Sequence, residues 1–338
     1  MKLTFEKIKE CTLGAARVEK SDTGVSFFRF TKKEEKFYYI TSPTNFYLKT
    51  FSNAGVRISF KTDSKNMLLK ISARSASSRT YFGVDVAVDG KLIGGIYNYE
   101  ELDLSGNYTT IDCPLGEFSK ELALGDGIKE VTLFMPWSVA LTLCELSLDD
   151  GALCEPKRPD KLMIAYGDSI THGYDALCPS NRYAAKLADA LGAEEINKAI
   201  GGDIFEPTLA EIADDLKPDY ITVAYGTNDW AKCNPTIYFD NCRDFYSTLS
   251  KKYPSAKIFA ITPIWRADCQ EQKRGGSFFE LEARIAKATA DLQNVILIPG
   301  IVFVPKDELM YADLRLHPHD EGFDHYFKNL FAKIKRFL

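Results

Sequence analysis

Three short stretches stand far apart in this chain: Gly167-Asp168-Ser169-Ile170, then Gly226-Thr227-Asn228-Asp229, then His317-Pro318. Together they hold the parts of an acyl-transfer site. A serine hydroxyl is a weak nucleophile until a base takes its proton and donors stabilise the oxyanion that forms. Ser169 is such a hydroxyl, and Asn228 supplies a side-chain amide. Histidine is the usual base near neutral pH, and the chain has only four: His172, His317, His319 and His325. Gly201-Gly202 adds a place where backbone can approach a ligand with no Cβ in the way.

These residues need a scaffold, and the second half of the sequence has the rhythm of one. Leu162 to Tyr166 is a short apolar run suited to a buried parallel strand. Ser180 is placed to cap a helix in which Ala184, Leu187, Ala188 and Leu191 recur at helical spacing, and Leu209, Ile212, Ala213 and Leu216 repeat that pattern. Next come a strand at 220–225, a helix at 238–249, a strand at 258–261, a helix at 278–292 and a strand at 295–298. This alternation predicts a parallel sheet wrapped by helices on both faces. Ser169 and Asn228 each fall three residues past a predicted strand. Both therefore belong on the carboxyl edge, where open parallel sheets bind ligands.

The first half reads differently. Runs at 56–61, 69–71, 84–91 (ending in the Asp89-Gly90 turn signal), 131–135 and 141–146 predict short strands of an antiparallel sandwich. Cys154 to Asp160, with two prolines and dense charge, reads as a linker. The expected domains are residues 1–153 and 160–338.

In the second half the residues resemble the SGNH (GDSL-type) hydrolases. Gly167-Asp168-Ser169 matches that family's nucleophile block, Asn197 through Asp203 its glycine block, Gly226 to Asp229 its asparagine block, and His317-Pro318 its histidine block. The resemblance implies a three-layer α/β/α domain of flavodoxin-like type. It also implies Ser169 as nucleophile, His317 as base, and an oxyanion hole of Ser169 N–H, Gly202 N–H and the Asn228 side chain. No cofactor and no metal are implied. The family usually places an Asp three residues before this His. Here Leu314 occupies that position and Asp313 lies one residue earlier, so either Asp313 orients the imidazole or the site is a Ser-His dyad. The first half looks like the jelly-roll sandwich preceding the catalytic domain in some carbohydrate esterases of this superfamily.

Each assignment has a plainer rival. Ser169 can be a helix-entry serine, Asn228 a turn residue, and Gly202 a turn glycine with Gly201 as competitor. Trp230, Trp265 and Arg266 follow predicted strand ends, where aromatics can stack on a sugar ring and Arg266 can reach a polar substrate; packing is the alternative for all three. Asp168 and Asp229 are expected to brace loops. His317, His319 and Asp320 do not amount to the three or four convergent ligands a metal needs.

The composition is that of a globular protein, 45% hydrophobic and 26% charged, with formal net charge −5. Nothing in it suggests a nucleic-acid partner, and no apolar run is long enough to span a bilayer. The eight cysteines form no C-x-x-C pair, and the N-terminus has no apolar h-region. They are therefore expected to be reduced thiols in a cytoplasmic protein. The expected activity is hydrolysis of small acyl esters, acetyl above all, on a small-molecule or oligosaccharide substrate. The rivals are a lipid or thioester acyl hydrolase and, in another class, a non-catalytic carbohydrate-binding protein. The oligomeric state is not legible.

Overall fold

The computed structural model describes residues 1–338. In the first half, one antiparallel sheet runs in spatial order Thr12–Leu13, Arg57–Thr62, Lys129–Phe134, Gly83–Val88, Lys91–Tyr97. A second runs Arg17–Ser21, Gly24–Phe28, Val139–Leu148, Asn66–Ser75, Gly116–Ala123. Strand alternation explains their shared core. Along Asn66–Ser75, Met67, Leu69, Ile71 and Ala73 are buried while Asn66 and Lys70 are exposed. They pack in one cluster with Ile58, Phe60, Val131 and Leu133 of the other sheet.

The Asp89-Gly90 turn has φ of +48° and +76° and joins two paired strands. Positive φ at both central residues is what a two-residue hairpin requires. Two helices, Lys32–Thr41 and Phe46–Lys49, interrupt this half, and neither they nor the N-terminal helix Phe5–Cys11 were among the expected elements. Helix Lys32–Thr41 carries a capping box between Thr31 and Glu34, a signal present in the sequence.

The second half follows the predicted alternation. In chain order it comprises β1 (Lys161–Gly167), α1 (Ser169–His172), α2 (Tyr183–Leu191), β2 (Ala193–Asn197), α3 (Pro207–Glu211), β3 (Tyr220–Ala224), α4 (Thr227–Lys232), α5 (Pro235–Lys252), β4 (Lys257–Ile261), α6 (Leu281–Thr289), β5 (Val295–Ile298) and α7 (Asp320–Ile334). All five strands are parallel, in the order β2-β1-β3-β4-β5. Leu187 and Leu191 of α2 share one cluster with Phe323 and Leu330 of α7. Leu209 of α3, Phe245 and Leu249 of α5 and Ile285 of α6 form another. Helices thus cover both faces. The strand order reverses between β1 and β3, and the carboxyl end of such a switch point is where open α/β sheets take ligands.

Two local expectations fail. Ser180 does not cap α2; its hydroxyl turns to the buried Asp85 carboxylate of the first half, and the N-cap is Arg182. The helical pattern through Leu216 stops at Glu211. There the Asp214 side chain accepts the Leu216 N–H at 3.0 Å, a local turn that competes with helix, just before Pro218.

The 154–160 segment is stitched to the first half. Glu155 and Pro156 pair with Lys61 and Phe60, and Arg158 donates to the Glu10 and Thr12 carbonyls. The halves also meet through Arg29, which is fully buried. It donates to Ser52 O and Lys49 O on its own side, and to Asn197 O and Ala199 O at the end of β2. All eight cysteines are free thiols. No helix is long and apolar enough to cross a membrane.

Candidate active site

β1 ends at Gly167, where a Cβ would come within 2.2 Å of Thr171 Oγ1. Asp168 then caps α1 by accepting the Ile170 N–H at 3.0 Å. This turn leaves Ser169 at the first helical position, where backbone N–H groups have no intrahelical partner. The Ser169 N–H donates to no protein acceptor. Burial pushes the Asp168 carboxyl up to about 6, which suits a bracing role better than a permanent charge.

His317 arrives from the other end of the chain. Ser169 Oγ and His317 Nε2 are 2.8 Å apart, and His317 Nδ1 lies 2.9 Å from Asp313 Oδ2. The extra residue between Asp313 and His317 is absorbed by Leu314, a non-glycine at φ +55°. That left-handed residue tightens the loop so that Asp313 Oδ1 accepts the N–H groups of Arg315, Leu316 and His317 at 3.0, 2.7 and 3.0 Å. One carboxylate therefore holds both the loop and the ring. Burial works against the Asp313 charge, but hydrogen bonds from His317 and from backbone take its pKa below the usual carboxylate range.

A second carboxylate, absent from the sequence reading, faces the same ring nitrogen. Asp175 Oδ2 is 3.3 Å from His317 Nδ1, and its side chain is wholly buried. Nothing in the Gly173-Tyr174-Asp175 spacing signals this. Burial disfavours the imidazolium, yet the neighbouring Asp175 and Asp313 carboxylates outweigh it and raise His317 to about 9. Ligand-type atoms of Asp175, Asp313 and His317 lie within 4.8 Å of one another. A cation there would compete with the Nδ1–H bond to Asp313, and one imidazole flanked by two carboxylates accounts for the cluster.

The donors expected for an oxyanion sit in the glycine and asparagine loops. Gly201 N–H is taken, donating to His172 Nδ1 at 3.1 Å. Gly202, at φ +91°, has its N–H unengaged, so of the two glycines Gly202 is the one with a donor to offer. Asn228 Nδ2 gives one hydrogen to Asp203 O at 2.9 Å, which fixes the amide and leaves its second hydrogen. Asp229 braces both loops by accepting the Gly226 and Phe205 N–H groups, each at 3.1 Å.

The remaining expectations divide. His172 is buried and neutral: burial and nearby Arg29 hold its pKa well below the ordinary value. Its Nε2 faces Trp137 O at 3.0 Å, so it tethers the glycine loop to the first half. His319 caps α7, accepting the Glu321 and Gly322 N–H groups. Trp230 is not a stacking platform. It is fully buried, packs edge-on to Phe278 and donates its indole N–H to Gly276 O, because the helix turn that presents Asn228 points the next aromatic inward. Arg266 does not reach outward either. It is buried, paired with Asp268 through two nitrogens, and donates to Thr227 Oγ1 at 3.0 Å, bracing the asparagine loop. Trp265 is half-buried against Tyr311 beside the histidine loop.

The first half supplies a wall that the sequence did not announce. A Cβ on Gly202 would lie 3.3 Å from the Phe46 ring and 3.9 Å from Lys49 Nζ. Lys49 donates to Gly201 O at 2.7 Å, and Lys232 donates to Gly202 O.

Residues 165–325 match the GDSL-like Lipase/Acylhydrolase family. No curated protein matches the sequence. Among solved structures, the chain is similar to a salicylyl-acyltransferase from a tetracycline biosynthetic pathway, with TM-score 0.80, 21% identity, and 96% of this chain and 94% of that one covered. It is also similar to a family two carbohydrate esterase from Clostridium thermocellum in complex with cellohexaose (TM-score 0.65, 16% identity, 96% and 98% covered). A third is an acetyl xylan esterase from the rumen bacterium Butyrivibrio proteoclasticus (TM-score 0.63, 16% identity, 99% and 98% covered). At these identities the likeness is one of fold.

Proposed function

We propose, for an esterase that carries a GDSL-like lipase/acylhydrolase domain over residues 165–325, that Ser169 is the nucleophile and His317 its base. Asp313 orients the imidazole, and Ser169 N–H, Gly202 N–H and the Asn228 amide form the oxyanion hole. The observation that carries this reading is the 2.8 Å contact between Ser169 Oγ and His317 Nε2 beside two unengaged N–H groups. We take residues 1–153 as a jelly-roll-like accessory domain and 160–338 as the catalytic domain.

In the reaction, the Nδ1–H bond to Asp313 leaves Nε2 as acceptor, so the Ser169 proton moves to Nε2 as Oγ attacks the acyl carbonyl. The oxyanion is met by donors already in place, which avoids reorganisation at the moment charge develops. His317 returns the proton to the leaving alkoxide, and then takes one from the water that releases the acyl group. Only the neutral imidazole can accept. With His317 raised to about 9, kcat/KM climbs as pH rises towards that value and falls as the ring is protonated below it.

The substrate class is a small acyl group, acetyl above all, on a carbohydrate. We take the Phe46 ring, 3.3 Å from a Cβ built on Gly202, as a wall beside the oxyanion donors that limits the length of the acyl group. The acetyl xylan esterase and the esterase complexed with cellohexaose belong to the same fold. Activity across acetyl, butanoyl and octanoyl esters of one alcohol tests this. A deep apolar tunnel gains about 0.8 kcal/mol per buried methylene, roughly fourfold each. We expect kcat/KM to stay flat or fall with chain length. A steady climb would replace this reading with that of a lipid acyl hydrolase. The likeness to a salicylyl-acyltransferase favours a second reading, in which an alcohol resolves the acyl-enzyme. Added acceptor sugar that diverts product from free acid to ester would support it.

A further inference from the structure

We propose that Asp175, clamped by Arg79 and Tyr81 of the antiparallel half, is a positioning residue for His317 and joins Asp313 in holding the imidazole and balancing its charge. This rests on the proposed roles of Ser169 and His317.

Asp175 is engaged on every side. Arg79 Nε donates to Oδ1 at 2.8 Å and Nη2 to Oδ2 at 3.2 Å, and the Tyr81 hydroxyl donates to Oδ1. The Tyr108 hydroxyl donates to the Asp175 carbonyl at 2.6 Å. Asp175 sits at φ +71°, a conformation that costs a residue with a Cβ and persists only when its surroundings fix it. Three side chains from the first half thus hold one strained residue of the second. That residue presents Oδ2 to His317 Nδ1 at 3.3 Å.

An ion pair between Arg79 and Asp175 would need no histidine. Its orientation gives it a further consequence. The Arg79 guanidinium lies over the Tyr174 ring at 5.7 Å, and that ring packs at 5.7 Å and 32° against the His317 imidazole. Arginine, tyrosine and histidine are layered, with Asp175 bridging the outer two. When His317 takes the serine proton, its new positive charge meets Asp313 and Asp175 at Nδ1, and Arg79 stands behind Asp175. Asp168, in the Ser169 loop, also interacts electrostatically with the ring. Asp175 therefore favours the protonated ring and Arg79 opposes it. The first half is in this sense a part of the proton-transfer apparatus, although none of its residues touches the reacting atoms.

Two substitutions should move the pH profile in opposite directions. Asp175→Asn removes one negative charge beside the ring and leaves Arg79 unbalanced. The acid limb of kcat/KM should shift to lower pH by about one unit or more, and the plateau should fall about tenfold as imidazolium stabilisation is lost. Arg79→Gln removes the opposing cation and should shift the limb to higher pH. A purely structural role lowers activity without displacing the limb. The assay uses 4-nitrophenyl acetate with the full chain, alongside Ser169→Ala. If Ser169→Ala keeps its turnover, the serine-esterase reading fails and this inference with it. If Ser169→Ala is inactive while the Asp175→Asn limb coincides with wild type, the inference alone is overturned. Should Asp175→Asn not fold, Arg79→Gln decides: a limb moved upward supports the proposal, and an unmoved limb overturns it.

Discussion

The parallel half and the antiparallel half bring residues to the site by different means. In the parallel half, strand order does the work. β1 and β3 are neighbours, so Ser169 and Asn228, each just past a strand end, arrive side by side. In the antiparallel half nothing converges by topology. Long side chains reach across instead: Arg29 to the β2 end, Lys49 to Gly201, Arg79 and Tyr81 to Asp175. The proposed chemistry therefore resides in one half, while the posture of its loops is shared between two.

The largest effect expected from breaking this division is in the parallel half. His317→Ala should cost about 10⁴-fold in kcat, whereas His319→Ala should cost only the stability of a helix cap, about 1 kcal/mol. Steady-state rates and denaturation midpoints of both variants check this, and the reverse ranking would move the base to His319. Asn228→Ala comes next, at about 10²–10³ in kcat with little change in KM. A rise in KM alone would make Asn228 a substrate anchor. The antiparallel half is probed by Arg29→Met. It strands the carbonyls of Asn197 and Ala199 beside those of Ser52 and Lys49. We expect a loss of about 3 kcal/mol in stability, with activity falling only as the glycine loop loosens. An unchanged denaturation midpoint would mean that the halves do not share this buried joint.

What could be read in the sequence follows the same division. Periodicity located four of the five parallel strands, because a strand buried on both faces is a continuous apolar run; β2, which reads Ala-Glu-Glu-Ile-Asn, has no such run and was missed. Spacing past strand ends then put Ser169 and Asn228 on one edge. Asp313 was legible as a candidate, but not the reason it fits, since a leucine at φ +55° has no sequence signal. Trp230 and Arg266 were misjudged because position beyond a strand end does not say which way a side chain points. Asp175, Phe46 and Lys49 were invisible because their roles depend on contacts between segments of the chain more than 100 residues apart.

The central claim is that Ser169 is a nucleophile activated by His317. A fluorophosphonate probe followed by peptide mass spectrometry tests it most directly. A single covalent adduct on Ser169 is expected in the wild type. Labelling should be far slower in His317→Ala and absent in Ser169→Ala, each verified as folded by circular dichroism. Undiminished labelling of the Ser169→Ala protein, or a wild type inert to the probe while well folded, would contradict it and turn attention to the non-catalytic carbohydrate-binding alternative.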